Sequence, residues 1–192
     1  MTENFNKQRC FGNKDGQDLY AQYHDYEWGI PVHDDQKLFE LLILEGAQAG
    51  LNWETILKKR AGYKEAFHNF DPQKVAAMGD NDLEALRHNP KIIRNRLKIY
   101  SARKNARVFL DIQQEFTSFD CYLWAFTDNK QIRNHWKTFK DVPTETTESL
   151  TLSKDLKKRG MNFVGPTIMY AYMQAVGLVH DHLVTCPCYK QL

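Results

Sequence analysis

Leu156-Lys157-Lys158-Arg159-Gly160-Met161-Asn162-Phe163-Val164-Gly165-Pro166-Thr167 reads as helix, tight turn, helix. Gly160 can end the first helix in a left-handed conformation, and Gly165-Pro166-Thr167 can open the second. Unpaired backbone N–H groups at such a helix start attract a phosphate, and Lys157, Lys158 and Arg159 add positive charge beside it. The pattern is that of a helix-hairpin-helix, a clamp for the DNA backbone that ignores base sequence. The same letters also fit an ordinary corner between two helices with a solvated basic end.

The rest of the chain supports a helical reading. Leu38, Leu41, Leu42 and Glu45 lie on one face of a helix starting near Gln36. Asp71-Pro72 is an N-cap followed by proline at the first helical position, and Asp80 can cap a short helix through Leu83 and Leu86. A long helix is predicted from Pro90, with Ile99, Ala102, Ala106 and Phe109 on one side. Further helices are predicted over 122–126, 131–139, 149–159 and 167–176, with Gly177 placed as a C-cap. Alternation of branched residues never lasts more than a few positions, so the fold class is all-α.

Composition narrows the class further. With 192 residues, 42% hydrophobic and 26% charged, the chain is globular, which excludes disorder, collagen and coiled coil. Residues 1–16 are polar and carry no apolar run, so no secretory signal is expected there. Residues 160–179 are uncharged over the length of a membrane span. Asn162, Pro166, Gln174 and the hydroxyls of Thr167, Tyr170 and Tyr172 make a buried helix the expected reading instead. Four cysteines are far too few for a disulfide scaffold and suit a reducing compartment. A cytoplasmic location is expected.

Charge is distributed unevenly. The whole chain carries only +2, yet Lys91, Arg94, Arg96, Lys98, Arg103, Lys104 and Arg107 form a run without an acidic residue. That asymmetry favours a polyanionic partner, although a helical wheel leaves some of these side chains simply solvated. Phe39, Phe67, Phe70 and Phe109 are expected in the core. Trp28 and Trp53 differ from them, because glycine, polar or charged residues flank each.

Glu45 follows Leu41-Leu42-Ile43-Leu44 on the apolar face. A carboxyl group there must be satisfied, either by a neighbouring helix end or arginine, or by a ligand in a pocket. Gly46-Ala47-Gln48-Ala49-Gly50 then ends the helix, Leu51 is an apolar tip, and Asn52 can cap the next helix with Trp53 in its first turn. An apolar wedge beside an aromatic ring and an acceptor is what base extrusion from DNA requires. Cys10, His24, His182 and Cys186 are candidate metal ligands, with His180 and Cys188 as competitors. Spacing alone leaves free thiols as the simpler reading.

Taken together, four segments resemble the bacterial 3-methyladenine DNA glycosylase I family. They are Tyr23-His24-Asp25-Tyr26-Glu27-Trp28-Gly29, Leu44 to Trp53, Phe163-Val164-Gly165-Pro166-Thr167, and His182-x3-Cys186. The likeness runs in order from about residue 10 to residue 188. It implies a helix-hairpin-helix glycosylase fold, a single helical unit over 1–192 in which two lobes can flank the active-site cleft. It further implies hydrolysis of the N-glycosidic bond of 3-methyladenine in alkylated double-stranded DNA, without strand cleavage. Carried onto this chain, Glu45 is catalytic and base-binding, and Tyr23, Trp28 and Trp53 are the aromatic walls. Gly50, Leu51, Lys157, Lys158, Gly165 and Thr167 face DNA. One structural zinc joins the termini through Cys10, His24, His182 and Cys186. A monomer with no obligate protein partner and no membrane association is expected. The resemblance supplies no catalytic aspartate, and Asp181, beside a metal candidate, receives no role. Two other classes share features of the sequence: a zinc-containing DNA-binding module without activity, and a helical protein-interaction domain.

Overall fold

The computed structural model describes residues 9–190. Part of the polar segment read at 1–16 therefore lies outside the described residues. Nine α-helices follow in chain order: α1 (Asp18–Tyr26), α2 (Asp35–Gln48), α3 (Trp53–Ala66), α4 (Pro72–Ala77), α5 (Asp80–Leu86), α6 (Arg96–Phe116), α7 (Phe119–Trp124), α8 (Thr147–Arg159) and α9 (Pro166–Ala175), counted among the described residues. None of these helices is long and apolar enough to cross a membrane.

Helix α2 is the axis of the fold. Asp34 caps it by accepting the Lys37 N–H, and from Leu38 onward it is buried all round, including Phe39, Ile43 and Leu44. A helix apolar on every side must be enclosed. Here α3, α6, α7 and α9 enclose it. The single apolar face read from the sequence is thus an underestimate. Phe39, Phe67, Phe70 and Phe109 are all in the core, as expected. Asp71 caps α4 through the Gln73 and Lys74 N–H groups, and Asn52 caps α3 through that of Glu54.

Three expectations need correction. The long helix begins at Arg96 rather than Pro90. The Asn89 side chain accepts the Lys91 N–H and turns the chain, and Asn95 then caps α6. Asp80 does not cap α5. Gly79 occupies that position, and the Asp82 carboxylate accepts the Gly79 N–H. Residues 131–139 are not helical. Ile132–Arg133 (β1) pairs in parallel with Val179–His180 (β2), so the fold is mainly rather than wholly helical. Gln131 reinforces this pairing by donating to the carbonyls of Gly29 and Gly177.

The hairpin at 156–167 is present as a helix, a turn and a helix, with α8 packed on α9. Gly160 closes α8 at φ +106°, where an L side chain would be strained, and its N–H reaches back to Lys157. Gly165 precedes α9 with Pro166 at the first turn and no side-chain cap.

Candidate active site

The C-terminal half of α2, the start of α3, α1 and α9 converge on a cavity of about 320 Å3. Tyr23 comes from α1, Trp28 from the turn after it, Glu45 from α2 and Trp53 from α3, and all four side chains line the cavity. They are buried, and the Tyr23 and Trp53 rings lie 5.4 Å apart at 54°. Phe11 packs edge-on against Trp28 at 4.9 Å. The four residues assigned to the pocket from the sequence are therefore brought together.

Glu45 is only 3% exposed, and its Oε2 has no hydrogen-bond partner among the described residues. Neither a helix end nor an arginine satisfies it, which removes the simplest structural reading of this residue. Burial raises its pKa from the ordinary carboxylic range to about 8. Trp53 Nε1 is a second buried polar atom in this cavity without a partner among the described residues. Burial, with Glu45 adding a smaller repulsion, also holds Tyr23 firmly in its phenol form. The cavity thus offers an acceptor, a donor and aromatic faces to a flat polar guest.

The opposite wall was not legible in the sequence. Tyr170 and Gln174 from α9 face a strap formed by Phe139, Val142, Pro143 and Thr144. Asp181 joins the two sides. Buried, it accepts from Tyr170 Oη at 2.6 Å and Gln174 Nε2 at 2.7 Å on one oxygen. Its other oxygen accepts from Asn134 Nδ2 at 2.8 Å and Trp136 Nε1 at 2.7 Å. With both oxygens engaged twice, Asp181 serves the architecture of the pocket. Tyr170 and Gln174, polar side chains one turn apart on α9, were the available signal for this wall.

Beyond the cavity mouth, α2 ends at Gln48 and the chain turns through Gly50 at φ +75°. Leu51 follows, 41% exposed at the tip of this turn. Gly46 lies against Phe163, so the 49–52 loop and the 160–165 turn belong to one side of the molecule. Thr167, at the start of α9, lines the cavity mouth, while Lys157 and Lys158 are exposed on the last turn of α8. Much of the basic run at 91–107 has partners inside the protein. Lys91 pairs with Glu65, Arg96 with Glu84 and Arg103 with Asp80, while Arg107 donates to the Ala76 carbonyl. Its local +7 is therefore a poor guide to the charge left for a partner.

The metal candidates also converge. One ligand atom each from Cys10, His24, His182 and Cys186 lies within 4.8 Å of all the others. Cys186 Sγ is 3.5 Å from both His24 Nε2 and His182 Nδ1, and Cys10 Sγ is 3.7 Å from His182 Nδ1. Tetrahedral zinc with ordinary Zn–S and Zn–N bonds sets sulfur and nitrogen about 3.5–3.6 Å apart. The outer nitrogens have acceptors: His24 Nδ1 lies 2.8 Å from Asp25 Oδ1, and His182 Nε2 lies 3.0 Å from the Trp28 carbonyl. Such bonds turn the inner nitrogens toward an ion, although His24 Nε2 here also accepts the Cys10 N–H at 3.2 Å. Cys188 stands on the far side of His24, 3.9 Å from Nδ1 and from Asp25, and so is outside this set. His180 is buried beside His182 but contributes no ligand to it.

This is a helical protein with an aromatic cavity closed around a buried carboxyl group, and comparison with known proteins places it. The methyladenine glycosylase family model matches residues 13–189. The chain is 49% identical over 172 residues to a DNA-3-methyladenine glycosylase of Haemophilus influenzae, covering 90% of this chain and 93% of that protein. It is 50% identical over 171 residues to DNA-3-methyladenine glycosylase 1 of Escherichia coli, covering 89% and 91% respectively. A crystal structure of a single-residue variant of 3-methyladenine DNA glycosylase I with 3-methyladenine bound superposes with a TM-score of 0.91. It is 38% identical, and the match covers 95% of this chain and 97% of that one. The chain belongs to the methyladenine glycosylase family, whose members are hydrolases of N-glycosidic bonds.

Proposed function

We propose that this protein excises 3-methyladenine from alkylated double-stranded DNA as a single 1–192 glycosylase unit, leaving the strand intact. The observation that carries this reading is the unpartnered, buried oxygen of Glu45 inside a cavity walled by Tyr23, Trp28 and Trp53. 3-Methyladenine in DNA is cationic. An aromatic face binds a cation better than a neutral base by about 0.5–2 kcal/mol. The carboxylate of Glu45 accepts from the exocyclic amine and complements the charge. Because the base already leaves well, water attacks C1′ as the bond to N9 breaks. The bonding pair neutralises the departing base, and the water gives up a proton to solvent. Exclusion of bulk water and recognition of the flipped base then carry most of the catalysis.

In this reading Leu51 enters the stack as the base leaves, with Gly50 allowing the turn. Lys157, Lys158, Gly165 and Thr167 bind the backbone from the hairpin, which acts as a helix-hairpin-helix clamp. Cys10, His24, His182 and Cys186 would hold one zinc, and the sulfur–nitrogen distances support that fit. Four protein ligands close its coordination, so the ion supplies stability. The protein works as a monomer in the cytoplasm. The test is chromatography of bases released from methylated duplex DNA, with the strands run on a denaturing gel. Free 3-methyladenine and uncut strands are expected. No released base, or strand scission under mild conditions, would overturn the proposal.

A further inference from the structure

We propose that Lys98 is a positioning residue that fixes the Leu51 loop in the orientation from which its tip enters the DNA stack. This inference rests on the wedge reading of Leu51 given above. Lys98 lies in the first turn of α6, where Asn95 has already capped its backbone N–H. Its Nζ crosses to α2 and donates to the carbonyl of Ala47 at 2.8 Å and to that of Ala49 at 2.7 Å. The last carbonyls of a helix lack intrahelical donors and carry the negative end of its dipole. A cation from another helix therefore completes the end of α2 at the point where the wedge loop departs.

The loop has little else to fix it. Beyond Ala49 it passes through Gly50, where a side chain would meet nothing within 4 Å. It is tied back by the Leu51 N–H to the Gln48 carbonyl at 2.6 Å. The tip then rejoins α3 at the Asn52 cap. Two charge-assisted bonds from one ammonium thus supply the tertiary anchor of a four-residue loop. Burial lowers the Lys98 pKa, in keeping with a head group drawn in from solvent. Its neighbour Leu97 is exposed beside Lys157, Asn162 and Gly165, which places the anchor between wedge and hairpin. Lys98 acts on DNA through Leu51 and not by touching phosphate.

The substitution Lys98→Met keeps the aliphatic stem and removes both bonds. Excision from methylated duplex is expected to fall about tenfold or more, matching Leu51→Ala. Binding of free 3-methyladenine, read by tryptophan fluorescence, should stay within twofold of wild type. Excision from a methylated single strand, where no stack must be refilled, should fall much less. The slope of log Kd against log salt should be unchanged, whereas losing a phosphate contact would reduce it by about one. Lys98→Gln, with a neutral donor, should show an intermediate loss and serves if the methionine variant folds poorly. Wild-type duplex excision by both Lys98 variants, with Leu51→Ala impaired, overturns the role of Lys98 alone. So does a reduced salt slope. Wild-type excision by Leu51→Ala overturns the wedge reading itself.

Discussion

Glu45→Gln separates what the buried carboxyl does for the fold from what it does for the reaction. Burial raises Glu45 to about 8, against about 4.3 in an unfolded chain. Below both values the group is protonated in either state and adds no pH dependence. Between them the folded protein holds a proton that the unfolded chain has lost, so stability falls as pH rises. Above about 8 both states are ionised and the full penalty persists. From pH 5 to pH 8 this one group removes about 3–4 kcal/mol, at 1.36 kcal/mol per unit. Glutamine has no proton to lose. Urea denaturation of both proteins at pH 5 and pH 8 should therefore show wild type losing that much more than the variant, because the other titrations cancel in the comparison. Excision by Glu45→Gln should collapse at either pH. In wild type, only about a tenth of the free protein carries the ionised form at pH 7, so kcat/KM should climb with pH, reach half its plateau near 8 and level off above it. Parallel stability curves for the two proteins would refute the assignment of a buried, protonated acid at this position.

Two further perturbations probe the rest of the site. Cys186→Ser should bind less zinc by metal analysis and melt earlier, while excision at low temperature largely persists. Zinc-free wild type with an unchanged melting temperature would remove the structural role. Asp181→Asn replaces one doubly engaged oxygen by an amide that meets donors. At about 1.5–3 kcal/mol per bond to a charged group, it should cost roughly 3 kcal/mol or more in denaturant unfolding. A change below about 1 kcal/mol would mean that the four bonds to Asp181 do not hold the cavity walls.

The parts of the fold written in local chemistry were legible. The Asp71 cap, the Asn52 cap and the left-handed Gly160 each depend on residues within one turn of the chain. The segment 131–139 was not legible, because its shape depends on partners 46 or 47 residues away, at Gly177, Val179 and Asp181. No local period encodes such a pairing. The same limit hid half of the cavity. Glu45 and Trp53 announce themselves as a carboxyl in an apolar run and a tryptophan after a cap. Phe139 and Pro143 look ordinary until Asp181 draws their strap against α9. The basic run misled in the opposite sense. Its charge was legible, but its carboxylate partners at residues 65, 80 and 84 lie outside it.

A metal held by the Cys10–Cys186 cluster would also change the protein as a mechanical object. If an ion were bound, the chain between these residues would become a closed ring, and a pull applied outside it would load the ligand bonds and the flanking contacts of Arg9 and Tyr189 before the helices. Helices, cavity and hairpin would lie off the line of force until the cluster gave way. The release would then free a chain of roughly 600 Å at full extension in a single step. With the ion in place, a machine that drags on one end of this protein, such as an unfolding protease, would meet a lock before it met a fold.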